Sequence, residues 1–343
     1  KKKYFYLEKK ISEENYEKVM KLGDKSIKSE EKVLRIYPQK NLFSHIIGQI
    51  DDNNNGISGL EKAFNEILRK SKTDIKLTVD KDIQFLIRKE LIKYQEIFKS
   101  KGSAAILMDV NNGNILSLVS LPDFDPNQRK NITDTNLINR VTKGTYELGS
   151  VFKTFTFASA LNKDLIKPET EFLNLPKSIR CEKHRIGEYD NEIPSDLSAE
   201  QILIRSGNIG SVRIAQKIGP EKYKSFLEKI GVLSQISFDI EEVAPQKNYN
   251  FGKCKLATAS YGHGIATTIL QLAKGYSVIS NGGFDIKPTL INKKIQNNKK
   301  GRRILNKGVS EQVVKALRKT VNTEEGTAKF ANVPNYEIGG KTG

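Results

Sequence analysis

The run Thr154-Phe155-Thr156-Phe157-Ala158-Ser159-Ala160-Leu161 is dense enough in apolar residues to form a helix with no polar face, which suits only a helix buried on all sides. Whatever this chain folds into must be built as a shell around that helix. Directly upstream stands Tyr146-Glu147-Leu148-Gly149-Ser150-Val151-Phe152-Lys153. Gly149 breaks the chain there, so Ser150 falls at or near the helix N-terminus and Lys153 lies one turn on, along the same face. A hydroxyl and an amine are thereby set within reach of each other.

That pairing has a chemical use. A serine hydroxyl is a poor nucleophile until a base takes its proton, and a lysine is such a base only when its amine is neutral. The ordinary lysine pKa of about 10.4 must then fall through burial or a neighbouring cation, and an apolar helix supplies the first. The helix N-terminus also favours negative charge developing on the oxygen. Ser-x-x-Lys is a short pattern, and Ser29-Glu30-Glu31-Lys32 repeats it in a polar, charged setting that points to no chemistry. Corroboration has to come from elsewhere in the chain.

A length of 343 residues with 37% hydrophobic side chains allows one large domain with an appendage, or two domains. No apolar run approaches the 18 or so residues of a membrane span, and mean hydropathy is −0.49. The sequence opens on Lys1 and closes on Gly343, so it is expected to be part of a longer polypeptide. A formal charge of +17 raises anionic partners, yet the lysines are spread along the chain and no nucleic-acid-binding signature accompanies them. A solvated basic surface is the expectation. Cys181 and Cys254 allow one disulfide or none. Metal ligation is not expected: His45, His184 and His263 are scattered, and Cys181 with His184 gives two ligands where about four are needed.

Residues 1 to about 75 are charged and locally helical, with one amphipathic helix opening at Ser12-Glu13-Glu14-Asn15 and another over Gly59–Leu68. They read as an accessory region packed on a larger domain that begins near residue 76. At Asp74–Asp80 the alternation turns to strand period, and a helix follows from about Lys81 to Phe98. Ser103–Val110 and Ile115–Ser120 flank Asn111-Asn112-Gly113-Asn114, a strong hairpin signal. Both strands are apolar on both faces, so helices should cover the sheet. Further helices are expected over Ala199–Arg205, Val212–Ile218, Glu221–Ile230 stopped by Gly231, Thr267–Ser280, and from a Ser310 cap to Val321. A polar loop runs from Asn292 to Arg303, and Tyr336–Gly343 reads as a glycine-rich strand opening.

Two further patterns supply the corroboration. Ser206-Gly207-Asn208 sits on a tight link between two helices, and Lys341-Thr342-Gly343 lies on the final glycine-rich segment. Each alone is weak, but Ser-x-x-Lys, Ser-x-Asn and Lys-Thr-Gly in this order mark penicillin-binding proteins and serine β-lactamases. The chain resembles the class B penicillin-binding proteins, more narrowly the septal, cell-division peptidoglycan D,D-transpeptidases of the FtsI type. The likeness extends through Arg35-Ile36-Tyr37-Pro38, Gly56-Ile57-Ser58-Gly59-Leu60-Glu61, Leu77-Thr78-Val79-Asp80, Asp109-Val110-Asn111-Asn112-Gly113, Tyr261-Gly262-His263-Gly264 and Gly326-Thr327-Ala328.

The resemblance implies an α+β fold: a serine β-lactamase-like transpeptidase domain over 76–343, with a mainly antiparallel sheet covered by helices, and a small pedestal over 1–75. It implies that Ser150 attacks the penultimate D-alanine of a peptidoglycan stem peptide, with Lys153 as base, kept neutral partly by Lys341. Ser206 would relay a proton, Asn208 would hold the substrate amide and Lys153, and Lys341 with Thr342 and Gly343 would receive the substrate's terminal carboxylate. No cofactor is implied. Partners would be D-Ala-D-Ala stem peptides, β-lactams, a septal glycosyltransferase and other division proteins, with no nucleic acid. The protein would sit in the inner membrane through an anchor upstream of Lys1, its catalytic domain in the periplasm.

Three departures temper the expectation. Half of the family's oxyanion hole comes from the residue after Lys-Thr-Gly, so a competent enzyme is expected to need chain beyond Gly343. The accessory region lacks a Gly- and Arg-rich hairpin that many relatives insert between the Gly59-Leu60-Glu61 helix and Leu77. The membrane anchor is expected before Lys1. Two rivals remain open: a serine β-lactamase or β-lactam sensor, for which no Glu-x-x-Leu-Asn-like element is found between Ser206 and Lys341, and a non-catalytic basic-surface binding protein.

Overall fold

A computed structural model describes residues 4–8, 11–31, 34–70, 74–128, 132–182, 184–242, 251–292 and 301–343. Most of the expected 292–303 loop, and Lys32 of the second Ser-x-x-Lys, lie outside them. The chain forms two compact units, Lys1–Tyr37 and Pro38–Gly343. The first holds the helix Glu13–Met20, whose N-cap Ser12 accepts from the Asn15 amide and which buries none of its residues.

The second unit begins well before residue 75 because its first stretch has a core to join. Ile46 and Leu60 pack in one apolar cluster with Ile115, Leu118, Val141, Leu270 and Leu290. The expected single helix over Gly59–Leu68 is two, Gly59–Ala63 and Asn65–Lys70, with Phe64 outside helical geometry between them (φ −115°, ψ 21°).

The hairpin forms as the turn chemistry dictates. Ser103–Met108 pairs antiparallel with Ile115–Leu121, Gly113 takes φ +79°, and the register shifts between Leu107 and Met108. The second strand is almost wholly buried, whereas Leu107 on the first is exposed to solvent. The helix Lys81–Ile97, capped by Asp80, lies against this hairpin. Its buried Gln84 substitutes for a neighbouring strand: Oε1 accepts from the Leu118 amide at 2.9 Å and Nε2 donates to the Leu118 carbonyl at 2.8 Å. The Ser117 hydroxyl donates to the same Oε1 at 2.7 Å.

The second cluster is helical and larger, and the helix Phe152–Leu161 runs through it with all ten residues buried. Phe155 meets Phe152 and Tyr276 edge to face, with centroids 5.7 and 5.3 Å apart. Its few polar side chains are satisfied locally: Thr154 bonds the Tyr276 hydroxyl at 2.9 Å, and Thr156 donates to the Ser260 carbonyl at 2.8 Å. Around it pack Ala199–Ile204, Asn208–Ile218, Pro220–Lys229, Lys253–Ala259 and Lys307–Asn322, with Ile269–Ser280 alongside. The last-named is capped by a Thr268/Gln271 box.

Three local expectations change. Ser310 is not a cap: the last helix starts at Lys307 behind Asn306, and the buried Ser310 hydroxyl donates to the Ile279 carbonyl one helix away. Residues 74–80 make one bridge, Leu77 with Ile291, and no longer ladder. The tail forms no strand among the described residues; Gly340 donates instead to the Leu317 carbonyl at 3.0 Å, and Arg318 donates to Ile338 O at 2.8 Å. That contact lays the tail along the Lys307–Asn322 helix. Three two-stranded antiparallel sheets, over 103–121, over 171–172 with 197–198, and over 178–187, are the paired strands among the described residues.

Replacing Gln84 with Leu preserves volume but strips Leu118 of both partners. The variant is expected to lose about 2–6 kcal/mol of unfolding free energy, from about 1–3 kcal/mol for each orphaned buried group, as read by urea denaturation.

Candidate active site

The site starts at a forced turn. Gly149 adopts φ +61°, a 3-10 turn covers Gly149–Val151, and the helix begins at Phe152. Ser150 thus sits at the head of the buried helix. Gly262 comes so close to this turn that a Cβ there would lie 1.9 Å from the Gly149 carbonyl oxygen, so only glycine fits. The Tyr261-Gly262-His263 segment forms one wall of a cavity of about 740 Å³, together with Ser150, Ser206, Asn208, Thr342 and Gly343. Residues from all three motifs therefore meet at one cavity.

Lys153 lies beneath it, 1% exposed. Its Nζ donates to the Ser206 carbonyl at 2.5 Å, to Ser206 Oγ at 3.1 Å and to Asn208 Oδ1 at 2.6 Å. One residue can present both oxygens because Ser206 takes φ +59°, a left-handed conformation uncommon for serine. The next helix starts at Asn208, four residues before the expected Val212, so Asn208 is fixed on its first turn. Burial, the nearby Lys341 cation and, in opposition, the Glu188 carboxylate set the Lys153 amine at a pKa of about 7. The amine therefore spends much of its time neutral near pH 7.

Lys341 is placed differently from its motif companions. Its Nζ donates to the carbonyl of Thr342 at 2.9 Å and to its hydroxyl at 3.2 Å, and burial lowers its pKa to about 8. Thr342 Oγ1 reaches Thr327 Oγ1 at 3.2 Å, which joins the Gly326-Thr327-Ala328 segment to the site. The cavity lining carries the hydroxyl groups of Ser150, Ser206, Thr327 and Thr342, the Lys329 cation and the carboxylates of Glu147 and Glu324, with the Lys153 amine behind Ser206 and Asn208.

Several cavity residues have no motif to announce them. Tyr189 lines it, with Lys153 Nζ 6.0 Å from its ring centre, and its hydroxyl donates to the Arg205 carbonyl at 3.0 Å. Glu147 lines it and faces His263 Nδ1 at 3.2 Å. Glu147 adjoins the Ser-x-x-Lys motif and so had a signal; Tyr189 had none. Cys181 and Cys254 do form a disulfide, with Cα atoms 5.6 Å apart. It fastens the hairpin of strands Ser178–Cys181 and His184–Gly187 to the start of the Lys253–Ala259 helix. Among the described residues, no three His, Cys, Asp or Glu side chains gather as metal ligands.

This α+β domain with a serine at the head of a buried lysine helix has counterparts among known proteins. Residues 103–343 match the penicillin binding protein transpeptidase domain. That span is most of the chain, and the chain belongs to this family. A Caulobacter vibrioides protein named "Probable peptidoglycan D,D-transpeptidase FtsI" is 29% identical over 332 residues, 95% of this chain and 56% of that protein. The chain thus spans little more than half the length of that relative. The solved transpeptidase domain of Burkholderia pseudomallei penicillin-binding protein 3 superposes with a TM-score of 0.68 at 27% identity, covering 79% of this chain and 77% of that one. Penicillin-binding protein 3 of the tuberculosis mycobacterium shares the fold, with a TM-score of 0.77 at 23% identity over 88% of this chain and 74% of that one.

The lowered Lys153 pKa has a measurable consequence for stability. In the unfolded chain this lysine holds its proton up to about pH 10.5, whereas the folded protein releases it near pH 7, so raising pH between these values favours the folded state. From pH 7 to pH 9 the parent should gain about 2 kcal/mol over Lys153→Met by urea denaturation, and equal changes in both proteins would contradict the assignment.

Proposed function

We propose that this domain is the acyl-transferring part of a peptidoglycan D,D-transpeptidase acting in septal wall synthesis and inhibited by β-lactams. The observation that carries the reading is the buried Lys153 amine, bonded to Ser206 and Asn208 directly under the cavity that holds Ser150 and Thr342. A serine-type acyl transfer needs a base close to the nucleophilic hydroxyl, and a buried amine of lowered pKa one turn along the helix from Ser150 suits that role.

In the reaction, neutral Lys153 takes the proton of the Ser150 hydroxyl as Oγ attacks the carbonyl of the penultimate D-alanine in a stem peptide. The tetrahedral intermediate expels the terminal D-alanine amine, which gains a proton relayed by Ser206, and an ester to Ser150 remains. An amine of a second stem peptide then attacks that ester, gives up a proton and leaves a new amide, with the Ser150 hydroxyl restored. Thr342 and Lys341 receive the departing residue's carboxylate, and Asn208 holds the amide of the acyl donor. A β-lactam enters the same first step, but its leaving nitrogen stays tethered to the acyl group. Membership of the transpeptidase family and the Caulobacter relative's name support the chemistry and the septal setting. The setting brings with it a septal glycosyltransferase and other division proteins as partners. No helix among the described residues is long and apolar enough to cross a membrane. We place the domain in the periplasm, held at the inner membrane through other parts of the protein.

The full-length protein should be labelled by fluorescent penicillin at Ser150. Ser150→Ala abolishes labelling, and Lys153→Ala slows it by about 10²–10⁴-fold. The parent's acylation rate should rise with pH through a midpoint near 7, as Lys153 loses its proton. Absence of labelling in the parent overturns the reading, and rapid turnover of nitrocefin replaces it with a hydrolase. Depletion in the native cell should give filaments; round cells would move the protein from septal to lateral wall synthesis.

A further inference from the structure

The helix that carries Asn208 starts without a cap of its own. Its N-cap residue is Gly207, which has no side chain to accept from the first free amides. Glu188 accepts them instead: Oε2 takes the Asn208 N–H at 2.6 Å and Oε1 the Ile209 N–H at 2.9 Å. One carboxylate thus spans the first two amides of the helix and sits at the positive end of its dipole. The adjoining Gly187 carbonyl accepts from Asn208 Nδ2 at 2.9 Å. That bond turns the amide so that its oxygen, and not its nitrogen, meets the Lys153 amine at 2.6 Å.

Glu188 and Gly187 belong to the end of the hairpin Ser178–Gly187, whose Ile186 is buried in the helical core. At its other end the hairpin is fastened by the Cys181–Cys254 disulfide to a helix that leads into the Tyr261-Gly262-His263 cavity wall. A side chain outside all three motifs, on the residue that follows a strand pair fastened at its turn by the disulfide, therefore braces the second motif.

We infer that Glu188 is a positioning residue for the acyl-transfer reaction, clamping the first turn of the Asn208 helix so that Asn208 and Ser206 hold the Lys153 amine in place. The inference rests on the reading of Ser150 and Lys153 given above. A purely structural cap and a positioning residue differ in what they do to Lys153. The charged and titratable groups that face its amine are Lys341, Glu188 and the ring of Tyr189; Glu188 is the one anion among them, and its carboxylate, like the ring face, favours the protonated amine. Removing the carboxylate should loosen the second motif and also let the Lys153 proton leave at lower pH.

The test is the pH profile of fluorescent-penicillin acylation, measured on the full-length parent, Glu188→Gln, Glu188→Asp and Ser150→Ala, with thermal unfolding of each. Glu188→Gln should acylate about tenfold more slowly on the plateau, with the acid limb moved to lower pH. Glu188→Asp, which keeps the charge, should leave the limb where the parent has it and recover part of the rate. Glu188→Gln within twofold of the parent at every pH sinks the inference. So does a slower Glu188→Gln with a lower unfolding temperature and an unmoved limb, which makes the residue a structural cap only. Failure of the parent itself to acylate brings down the underlying reading, and is told apart because no Glu188 variant enters into it.

Discussion

The helical half of the larger unit is arranged around a lysine amine buried from water. An ammonium group in an apolar interior is costly unless its protons find acceptors, and Lys153 at 1% exposure finds three oxygens on two residues. Those oxygens come from a link more than fifty residues away in sequence, so the lysine position is meaningful only if that link is held rigidly. The left-handed Ser206 and the early start of the Asn208 helix are the backbone's way of supplying three acceptors from so short a segment. The polar groups on the buried helix follow the same rule, with Thr154 and Thr156 paired to Tyr276 and to Ser260 and Tyr223. Burial in turn raises both tyrosine hydroxyls far above their ordinary range, so they stay neutral donors and acceptors.

The hairpin half of the larger unit solves a different problem. Its inner strand is buried on both faces and would normally need a further strand along its free edge. Gln84 supplies one residue's worth of that edge with a side-chain amide, which carries the same donor and acceptor as a peptide. A helix can then lie where a strand would otherwise be required.

Much of this was legible in the chain. Period and composition located the buried helix, the Asn-Gly turn located the hairpin, and the change of period after Asp80 located the helix that follows it. Ser150, Lys153, Ser206 and Asn208 could be put forward as site candidates because their motifs are short and local. What could not be read was anything set by contacts distant in sequence. Ser310 looks like a cap and is a hydroxyl bonded to a neighbouring helix; the tail looks like a strand but runs beside a helix whose Leu317 carbonyl takes its amide. The region before residue 75 looked poor in core because Ile46 and Leu60 find theirs on residues as distant as Leu290. The disulfide was one of two possibilities on sequence alone, and only the hairpin's position beside the Lys253–Ala259 helix decides it. Glu188 and Tyr189 carried no signal, since a Glu-Tyr pair after a short strand is ordinary surface composition.

On the proposed reading, the placement of charges about Lys153 lets one site combine a base with a receptor for a carboxylate. In the proposed reaction Lys341 must stay cationic to receive an anion, and Lys153 must shed its proton to act. Two lysines close together cannot both be charged cheaply, and the more deeply buried one yields first, near 7 against about 8. Glu188 limits how far that goes, because its carboxylate, spent on two helix amides, still favours a proton on the neighbouring amine. Without it the base would be neutral but weaker, since a lower pKa means a smaller appetite for the serine proton. On the proposal that Lys153 is the base, one side chain caps the helix and tunes that base, and the two lysines part company through burial and their mutual repulsion.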